Sequence, residues 1–269
     1  MSQEIIRNTE QVVLSKRDAQ YEVLQCLPPV CLIPGYWDTL AQNSENWAQE
    51  VSVSPFWRGV KEHLVNWRKD YRRTYSGELY TNLELPGYVG KSAERTKEKT
   101  LKKIKENGGD AKAGRLVFDQ RVAVPRIEDL VRVRLNAQFL DGVPYLARKV
   151  YELAQSHADD VEIEAKGSLK GYFAQHVRFR LPVHFRFDGL AQSCKVTCEI
   201  QIATSLATHV WENSHALYES TRMTLEKSED WQWNPKDPRF VSRQLGHMIH
   251  LADGLFCNLR DQLKSGGSK

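Results

Sequence analysis

The first half of the chain places its apolar residues at helical spacing. A helix is predicted from Pro55 onward because apolar residues recur there on one side, at Val60, Leu64, Trp67 and Tyr71. A second helix is predicted over 93–109, where a lysine-rich run ends at two consecutive glycines.

In the middle of the chain the period changes to two, which is typical of half-buried strands. Residues 129–137 alternate in this way, and 175–187 and 194–204 are also predicted as strands. The pair Asp188-Gly189 lies between the last two segments and predicts a tight hairpin turn. A helix is predicted over 141–156, between the first two strands.

Two more helices are predicted near the C-terminus, over 205–221 and 238–263. The second carries an apolar stripe formed by Leu245, Ile249, Ala252, Phe256, Leu259 and Leu263. A strand–helix–strand–strand order flanked by helices indicates a mixed sheet and an α/β or α+β domain. We expect an N-terminal extension over 1–55 that packs on the domain, a domain over 56–264 and a disordered tail over 265–269.

Composition narrows the class of protein. The 269 residues are 41% hydrophobic, enough for a substantial core, and the formal net charge is +4. No apolar run approaches the ~20 residues of a membrane span, and the first residues do not resemble a signal peptide. Five cysteines without metal-ligand spacing fit a reducing compartment. We therefore expect a cytoplasmic protein that does not contact a membrane.

The distribution of charge indicates a polyanionic ligand. Between Lys91 and Lys105 there are seven Lys or Arg residues against two Glu, and 67–73 adds four more basic residues. Such clusters suit phosphate groups, although a charged run of this kind is more often a solvated helix face.

Two carboxylates on predicted strands are candidates for metal binding. In CEIQI (198–202), Glu199 and Gln201 share the face opposite the apolar one, which on its own fits a solvated sheet face equally well. Asp129 stands at the head of another strand. Carboxylates placed in this way commonly hold Mg²⁺, a hard cation that also binds nucleotide phosphates. A zinc site at His209, Glu212 and His215 is disfavoured because the spacing is not H-E-x-x-H; these residues more simply form a ridge that supports the neighbouring site.

Four segments together resemble the synthetase domain of the RelA/SpoT family, which makes (p)ppGpp. They are ERTKEKTLKKI (94–104), DLVRVRL (129–135), KGYFAQHVRF (170–179) and CEIQIATSLATHVWENSHALY (198–218). The resemblance spans about residues 90 to 260 and keeps the order of the family's motifs. It implies a nucleotidyltransferase-like α+β fold with a mixed sheet of about five strands flanked by helices.

The resemblance also implies roles for particular residues. Asp129 and Glu199 would hold Mg²⁺, Tyr172 would stack on the acceptor base, and Gln201 would line the acceptor site. Residues expected to bind the ATP phosphates or to lie near them are Arg95, Lys97, Lys103, Arg134, Lys170 and His176. The implied enzyme is a pyrophosphokinase that moves the β,γ-pyrophosphate of ATP to a ribose 3′-hydroxyl and releases AMP.

The sequence is compatible with more than one acceptor of the pyrophosphate. The family's glycine, serine and arginine are replaced by Arg132, Ala174 and Ala203. A guanine or adenine nucleotide is one acceptor; the 3′ end of tRNA, as in toxic relatives, is another, and the basic helices would suit it. A third hypothesis is a catalytically silent member that binds nucleotide or RNA. Since no H-D dyad of a hydrolase precedes the domain, outside control is expected, for example by an antitoxin protein.

Overall fold

The computed structural model describes residues 25–80, 85–119, 121–167, 171–222 and 229–266, with the backbone alone for 214–222, 229–230 and 265–266. Its α-helices are α1 (Tyr36–Ser52), α2 (Pro55–Tyr75), α3 (Ala93–Glu106), α4 (Ala111–Val117), α5 (Gly142–Ala154), α6 (Ser205–Arg222) and α7 (Pro238–Gly266). Its strands are β1 (Val89–Gly90), β2 (Val131–Ala137), β3 (Asp159–Lys166), β4 (Ala174–Phe187) and β5 (Leu190–Thr204). Short 3-10 helices cover Pro29–Leu32 and Glu229–Trp233.

The five strands form one mixed sheet in the order β1-β2-β5-β4-β3, which confirms the predicted α+β class. Asp188 and Gly189 join β4 to β5 with φ angles of 49° and 75°. Both angles are positive, as a two-residue hairpin turn with the twist of the sheet requires, so the predicted hairpin is confirmed. On the other side, β3 pairs antiparallel with β4, and Ile163 lies opposite Val177.

The predicted apolar face of α2 is confirmed. Val60, Leu64, Trp67 and Tyr71 are all buried. The helix begins where the side chain of Ser54 caps the backbone N–H of Trp57, next to a proline in the first turn. Two predicted strands begin elsewhere: β5 begins at Leu190, four residues earlier than predicted, and β2 begins at Val131. Asp129 therefore lies in the turn before β2, outside the strand pairing of the sheet.

The chain divides into two compact units. The first contains 25–50, 89–131 and 181–198. In it, α1 is fixed to the end of β4 by side chains that satisfy backbone groups of the strand. Asn43 donates to the carbonyl of Arg186 (2.7 Å) and accepts from its N–H (2.8 Å), and the Trp47 indole donates to the carbonyl of His184 (2.9 Å). Buried backbone groups are thereby paired, as a stable fold needs.

The second unit contains the described parts of 51–88, 132–180 and 199–269. A polar network ties three of its helices together. Tyr71 of α2 donates to Asp141, just before α5, at 2.6 Å, and Arg260 of α7 binds the same carboxylate at 2.7 and 3.2 Å. Burial raises the pKa of the Tyr71 hydroxyl, which therefore acts as a donor. The bidentate Arg260–Asp141 pair fixes α7 at its C-terminal half.

None of the helices in the described parts of the chain is both long and apolar enough to cross a membrane.

Candidate functional site

In the first unit, Asp129 is held between two lysines. Lys91 Nζ lies 2.7 Å from Oδ2 and Lys99 Nζ lies 2.7 Å from Oδ1. The backbone of Lys91, directly after β1, is held next to Asp129 because its N–H donates to the carbonyl of Leu130 at 3.0 Å. Asp129 is only 9% exposed, so these ion pairs are shielded from solvent.

Glu128 extends the same arrangement. Lys103 Nζ lies 2.6 Å from one of its carboxylate oxygens and Lys99 Nζ lies 3.2 Å from the other. Lys103 also donates to the carbonyl of Arg126 at 2.8 Å. We call Lys91, Lys99, Lys103, Glu128 and Asp129 the lysine–carboxylate cluster.

The lysines keep both carboxylates ionised. Burial alone would raise the pKa of Asp129, but the charges and hydrogen bonds of Lys99 and Lys91 outweigh it and lower that pKa to about 2. The pKa of Glu128 is likewise lowered to about 2, with burial opposed by Lys103 and Lys99. Three ammonium groups against two carboxylates leave one net positive charge. The cluster is thus suited to bind an anion such as a phosphate group.

The predicted phosphate-binding residues of α3 have different surroundings. Lys103 belongs to the cluster, Arg95 instead pairs with Glu98 at 3.1 Å, and Lys97 is exposed. The sequence interpretation missed Lys91, Lys99 and Glu128 as site residues. The spacing of Lys99 and Lys103, one helical turn apart on a single side of α3, is the signal that was available.

In the second unit, the functional groups gather around Glu199. His176 Nδ1 lies 3.1 Å from Oε2 of Glu199, and Gln201 Nε2 donates to Oε1 at 2.6 Å. Arg178 Nε is a more distant cationic neighbour at 3.7 Å. Glu199 and Gln201 do share one face of β5, as the alternation predicts, and Glu199 and His176 are both buried. A carboxylate with these partners has a fixed orientation.

Tyr172 is joined to Glu199 through His176. The Tyr172 hydroxyl lies 3.1 Å from His176 Nε2. Since a carboxylate can only accept, Nδ1 of His176 is the donor to Glu199, and Nε2 of the same ring meets the Tyr172 hydroxyl. Burial raises the pKa of Tyr172 to about 12, so its hydroxyl is protonated at neutral pH.

An aromatic ring and a cationic side chain lie close to the ring of Tyr172. The Trp211 ring lies 5.9 Å away between centroids, tilted by 52°. The guanidinium of Arg134 lies 4.5 Å above the Trp211 ring. Arg134 also contacts Gln201 Oε1 (3.3 Å) and Glu212 Oε1 (3.2 Å). We call the set Arg134, Tyr172, His176, Glu199, Gln201 and Trp211 the aromatic cluster.

Helix α7 holds the backbone that carries Tyr172. Gly171 has a φ of +68°, and a Cβ there would lie 2.3 Å from the carbonyl oxygen of Arg243. A Cβ on Gly246 of α7 would lie only 1.9 Å from the carbonyl oxygen of Gly171. Next to them, Phe173 stacks on His250 at 3.8 Å with an interplanar angle of 5°. Two glycines therefore permit the close approach of the helix and the Tyr172 segment.

The aromatic cluster contains the predicted residues Arg134, Tyr172, His176, Glu199 and Gln201. Lys170 lies outside the described residues. The cluster also includes Trp211, and Arg178 is a further neighbour. Glu212 supports the cluster through Arg134, and the side chain of His215 is not among those described. Asp129 belongs to the first unit and Glu199 to the second.

A metal site is not evident from protein groups alone. The described residues contain no group of three or more His, Cys, Asp or Glu side chains that could hold a metal ion. Mg²⁺ commonly takes one or two protein carboxylates and completes its shell with water and substrate phosphates. The donor chemistry of Asp129 fits this habit, because its carboxylate is ionised and buried, although both of its oxygens are engaged by lysine.

Comparison with protein-family models and with curated proteins found no match. Several solved structures are similar to the chain. A GTP pyrophosphokinase family protein from Streptococcus pneumoniae matches with a TM-score of 0.47 and 18% identity over 86% of this chain and 95% of that one. Small alarmone synthetase 1 from Bacillus subtilis, solved with its product pppGpp, matches with a TM-score of 0.45 and 17% identity over 81% and 98%.

Small alarmone synthetase 2 from Bacillus subtilis is also similar, with a TM-score of 0.45 and 15% identity over 77% of this chain and 96% of that one. These similar structures are named for the class of protein that the four sequence segments resemble. At such identities the activity has to be argued from the residues of the two clusters.

Proposed function

We propose that this protein is an ATP-dependent pyrophosphotransferase that transfers the β,γ-pyrophosphate of ATP to the ribose 3′-hydroxyl of a purine nucleotide. The observation that carries the proposal is the buried Tyr172–His176–Glu199 chain, with Gln201 on the second carboxylate oxygen. It combines an aromatic ring that can stack on a base with an oriented carboxylate that can accept the proton of a hydroxyl group. The order of the four motifs supports the same reaction.

In the proposed reaction, the acceptor's 3′-oxygen forms a bond to the β-phosphorus of ATP. The bond between that phosphorus and the α,β-bridging oxygen breaks, and AMP leaves with the electron pair. The hydroxyl proton passes to the carboxylate of Glu199, which His176 and Gln201 hold in one orientation. Placement of the reacting groups and neutralisation of phosphate charge would supply most of the rate enhancement.

The lysine–carboxylate cluster is proposed as the donor site. Its net positive charge suits a triphosphate, whose oxygens would compete with Asp129 and Glu128 for Lys91, Lys99 and Lys103. Asp129 is the carboxylate of this cluster proposed to hold Mg²⁺. When bound, the ion would offset the negative charge that builds on the transferred phosphates.

The aromatic cluster is proposed as the acceptor site. The Tyr172 ring would stack on the base, as any π-face allows, and Arg134 would face the acceptor's phosphates or its base. One similar structure holds pppGpp, and a guanine nucleotide is the first acceptor to test. Arg132, Ala174 and Ala203 replace polar and small groups of the family pattern, so the acceptor's contacts would differ from the family's.

The 3′ end of tRNA is a second candidate acceptor, and the exposed face of α2 favours it. Its exposed basic side chains are Arg58, Lys61, Lys69, Arg72 and Arg73. Phosphate contacts of this kind are blind to sequence and suit an acceptor stem. A tRNA-modifying enzyme would block translation and would need an antitoxin protein as its partner.

The deciding experiment uses ATP labelled in its β- and γ-phosphates, Mg²⁺ and the purified protein, with GDP, GTP, no added acceptor or deacylated tRNA in parallel. Glu199→Gln is the matched control, because it keeps the shape of the side chain and removes its charge. Transfer of label to GDP or GTP confirms the proposal. Transfer in the tube without added acceptor shows that ATP itself is the acceptor. Transfer to tRNA alone shows that tRNA is the acceptor in place of a guanine nucleotide. No transfer by a folded protein that still binds ATP overturns catalysis in favour of a silent binding protein.

A further inference from the structure

Arg132 lies on the face of the sheet that carries the aromatic cluster. Strand alternation places its side chain on the same side of β2 as that of Arg134, which contacts Gln201. Both arginines are half-buried. Two cationic side chains of β2 therefore face the proposed acceptor site, next to each other along the strand.

Arg132 differs from the other arginines on the strands of the second unit, because it has no carboxylate in contact. The others pair with carboxylates at 3.1 to 3.2 Å: Arg134 with Glu212, Arg178 with Glu162, and Arg180 with Asp160. Among the residues that the structure describes, the guanidinium of Arg132 has neither a hydrogen bond nor an ion pair. Its donors are therefore available to a ligand.

The charge of Arg132 acts on the ring of Tyr172. Burial raises the pKa of the Tyr172 hydroxyl, and the positive charges of Arg134 and Arg132 oppose that rise. Both arginines are thus close enough to the phenol to affect it electrostatically. Since Glu212 pairs with Arg134, and Glu199 is bound by other side chains, Arg132 is the cation beside the ring that lacks a partner in contact.

An arginine in this state suits a phosphate group. A guanidinium presents its N–H donors in a planar fork, and two phosphate oxygens match that fork bidentately. Partial burial separates the side chain from some of its water, so an anion with good geometry is a favourable replacement. Arg134 is less available, because Glu212 and the face of the Trp211 ring already hold its guanidinium.

We propose that Arg132 binds a 5′-phosphate group of the acceptor nucleotide and thereby selects phosphorylated acceptors over nucleosides. The inference rests on the proposed function, since that function places the acceptor's base on the ring of Tyr172. A nucleotide stacked there would carry its phosphates into the field of the one neighbouring arginine that has no carboxylate in contact within the described parts of the chain.

Equilibrium binding of guanosine and GDP to the full chain, without ATP, tests the contact independently of turnover. The wild type should bind GDP about 10-fold or more tightly than guanosine, as charge-assisted hydrogen bonds allow. Arg132→Met keeps the length of the side chain without its charge, so it should remove most of this gain and leave guanosine binding unchanged. Arg132→Lys keeps the charge but not the fork and should retain part of the gain.

Arg148→Met is the matched control, because Arg148 is an exposed arginine of α5 in the same unit, and it should change neither affinity. A wild type without preference for GDP, or equal losses for guanosine and GDP in Arg132→Met, overturns the phosphate contact. A loss confined to ATP overturns it as well, because Arg132 would then bind the donor. If Arg132→Met fails to fold, Arg132→Lys still decides, since an unchanged preference for GDP would show that the fork makes no contact.

Failure of this inference and failure of the proposed function give different results. Tyr172→Leu should weaken binding of guanosine and GDP by the same factor, because it removes the stacking surface for the base. No effect of Tyr172→Leu on either ligand would contradict the stacking in the proposed function, even where Arg132 binds GDP. Transfer of label to GDP with an unchanged KM in Arg132→Met would leave the proposed function standing and overturn the role of Arg132.

Discussion

The imidazole of His176 joins Tyr172 to Glu199, with Nδ1 3.1 Å from the carboxylate and Nε2 3.1 Å from the phenol hydroxyl. The two contacts use opposite nitrogens of one ring, so they can be removed separately. An asparagine amide can reach the place of Nδ1, whereas a glutamine amide can reach the place of Nε2. His176 is therefore a positioning residue whose two roles can be measured apart.

We expect His176→Asn to raise the KM of the acceptor about 10-fold with a smaller change in kcat, since it releases Tyr172 and keeps the contact with Glu199. His176→Gln should do the reverse and lower kcat by a similar factor. Steady-state kinetics with the acceptor that the labelling experiment identifies measure both constants. Equal effects of the two variants on both constants would show that the ring acts only as packing.

Asp129→Asn separates catalysis from donor binding. It removes the carboxylate proposed to hold Mg²⁺, so transfer should fall on the order of 100-fold or more. The same change frees Lys91 and Lys99 from a counter-charge, so ATP should bind as tightly as before or more tightly when Mg²⁺ is absent. Calorimetric titration with ATP and EDTA measures this, and a loss of ATP affinity in the folded variant would contradict the assignment of the cluster.

The lysine–carboxylate cluster also predicts acid sensitivity. The pKa values of Glu128 and Asp129 are both about 2 in the folded protein, below their ordinary values near 4. Their contribution to the free energy of unfolding is thus complete above pH ~4.5 and is lost as the pH falls towards 2. For buried Asp129 it is worth about 2 kcal/mol.

Urea unfolding of the wild type and of Asp129→Asn at several pH values between 2 and 7 tests this. The stability difference should be greatest near neutral pH and should shrink below pH ~4. Glu62→Gln, on the exposed side of α2, controls for the loss of one negative charge. A difference that stays constant with pH would mean that Asp129 acts through shape and not through its charge.

Local patterns predicted several elements of this fold, but not helix α1 or strand β3. The Asp188-Gly189 turn and the buried face of α2 follow from backbone preference and from periodicity, and the placement of Glu199 and Gln201 on one face follows from strand alternation. These features depend on residues close in sequence. Several polar contacts within the clusters join residues that are far apart in sequence.

Lys91 meets Asp129 across 38 residues and Arg134 stacks on Trp211 across 77, so only the folded chain brings them together. The apolar stripe of α7 shows a second feature that the sequence alone does not predict. Periodicity shows that one side of a helix is apolar, but it does not tell whether the same chain or another chain covers that side. The exposure of Leu255 and Leu259 shows that the described parts of this chain leave that side uncovered.

Two glycines of α7 give a test of how the helix supports Tyr172. Gly246→Ala would place a Cβ 1.9 Å from the carbonyl oxygen of Gly171, and neither backbone can move without displacing the Tyr172 segment. Gly254→Ala meets only the Leu140 side chain at 3.8 Å, which is ordinary contact. Alanine is the better helix former by about 1 kcal/mol, so the second variant should be neutral or more stable.

The two variants should therefore differ both in melting temperature and in acceptor affinity. Gly246→Ala is expected to lower the melting temperature by several degrees, for a loss of roughly 2 kcal/mol or more, and to weaken acceptor binding. Gly254→Ala should leave acceptor binding unchanged. If Gly246→Ala keeps full acceptor affinity, the Tyr172 segment does not depend on its contact with α7, and His176 alone positions the ring.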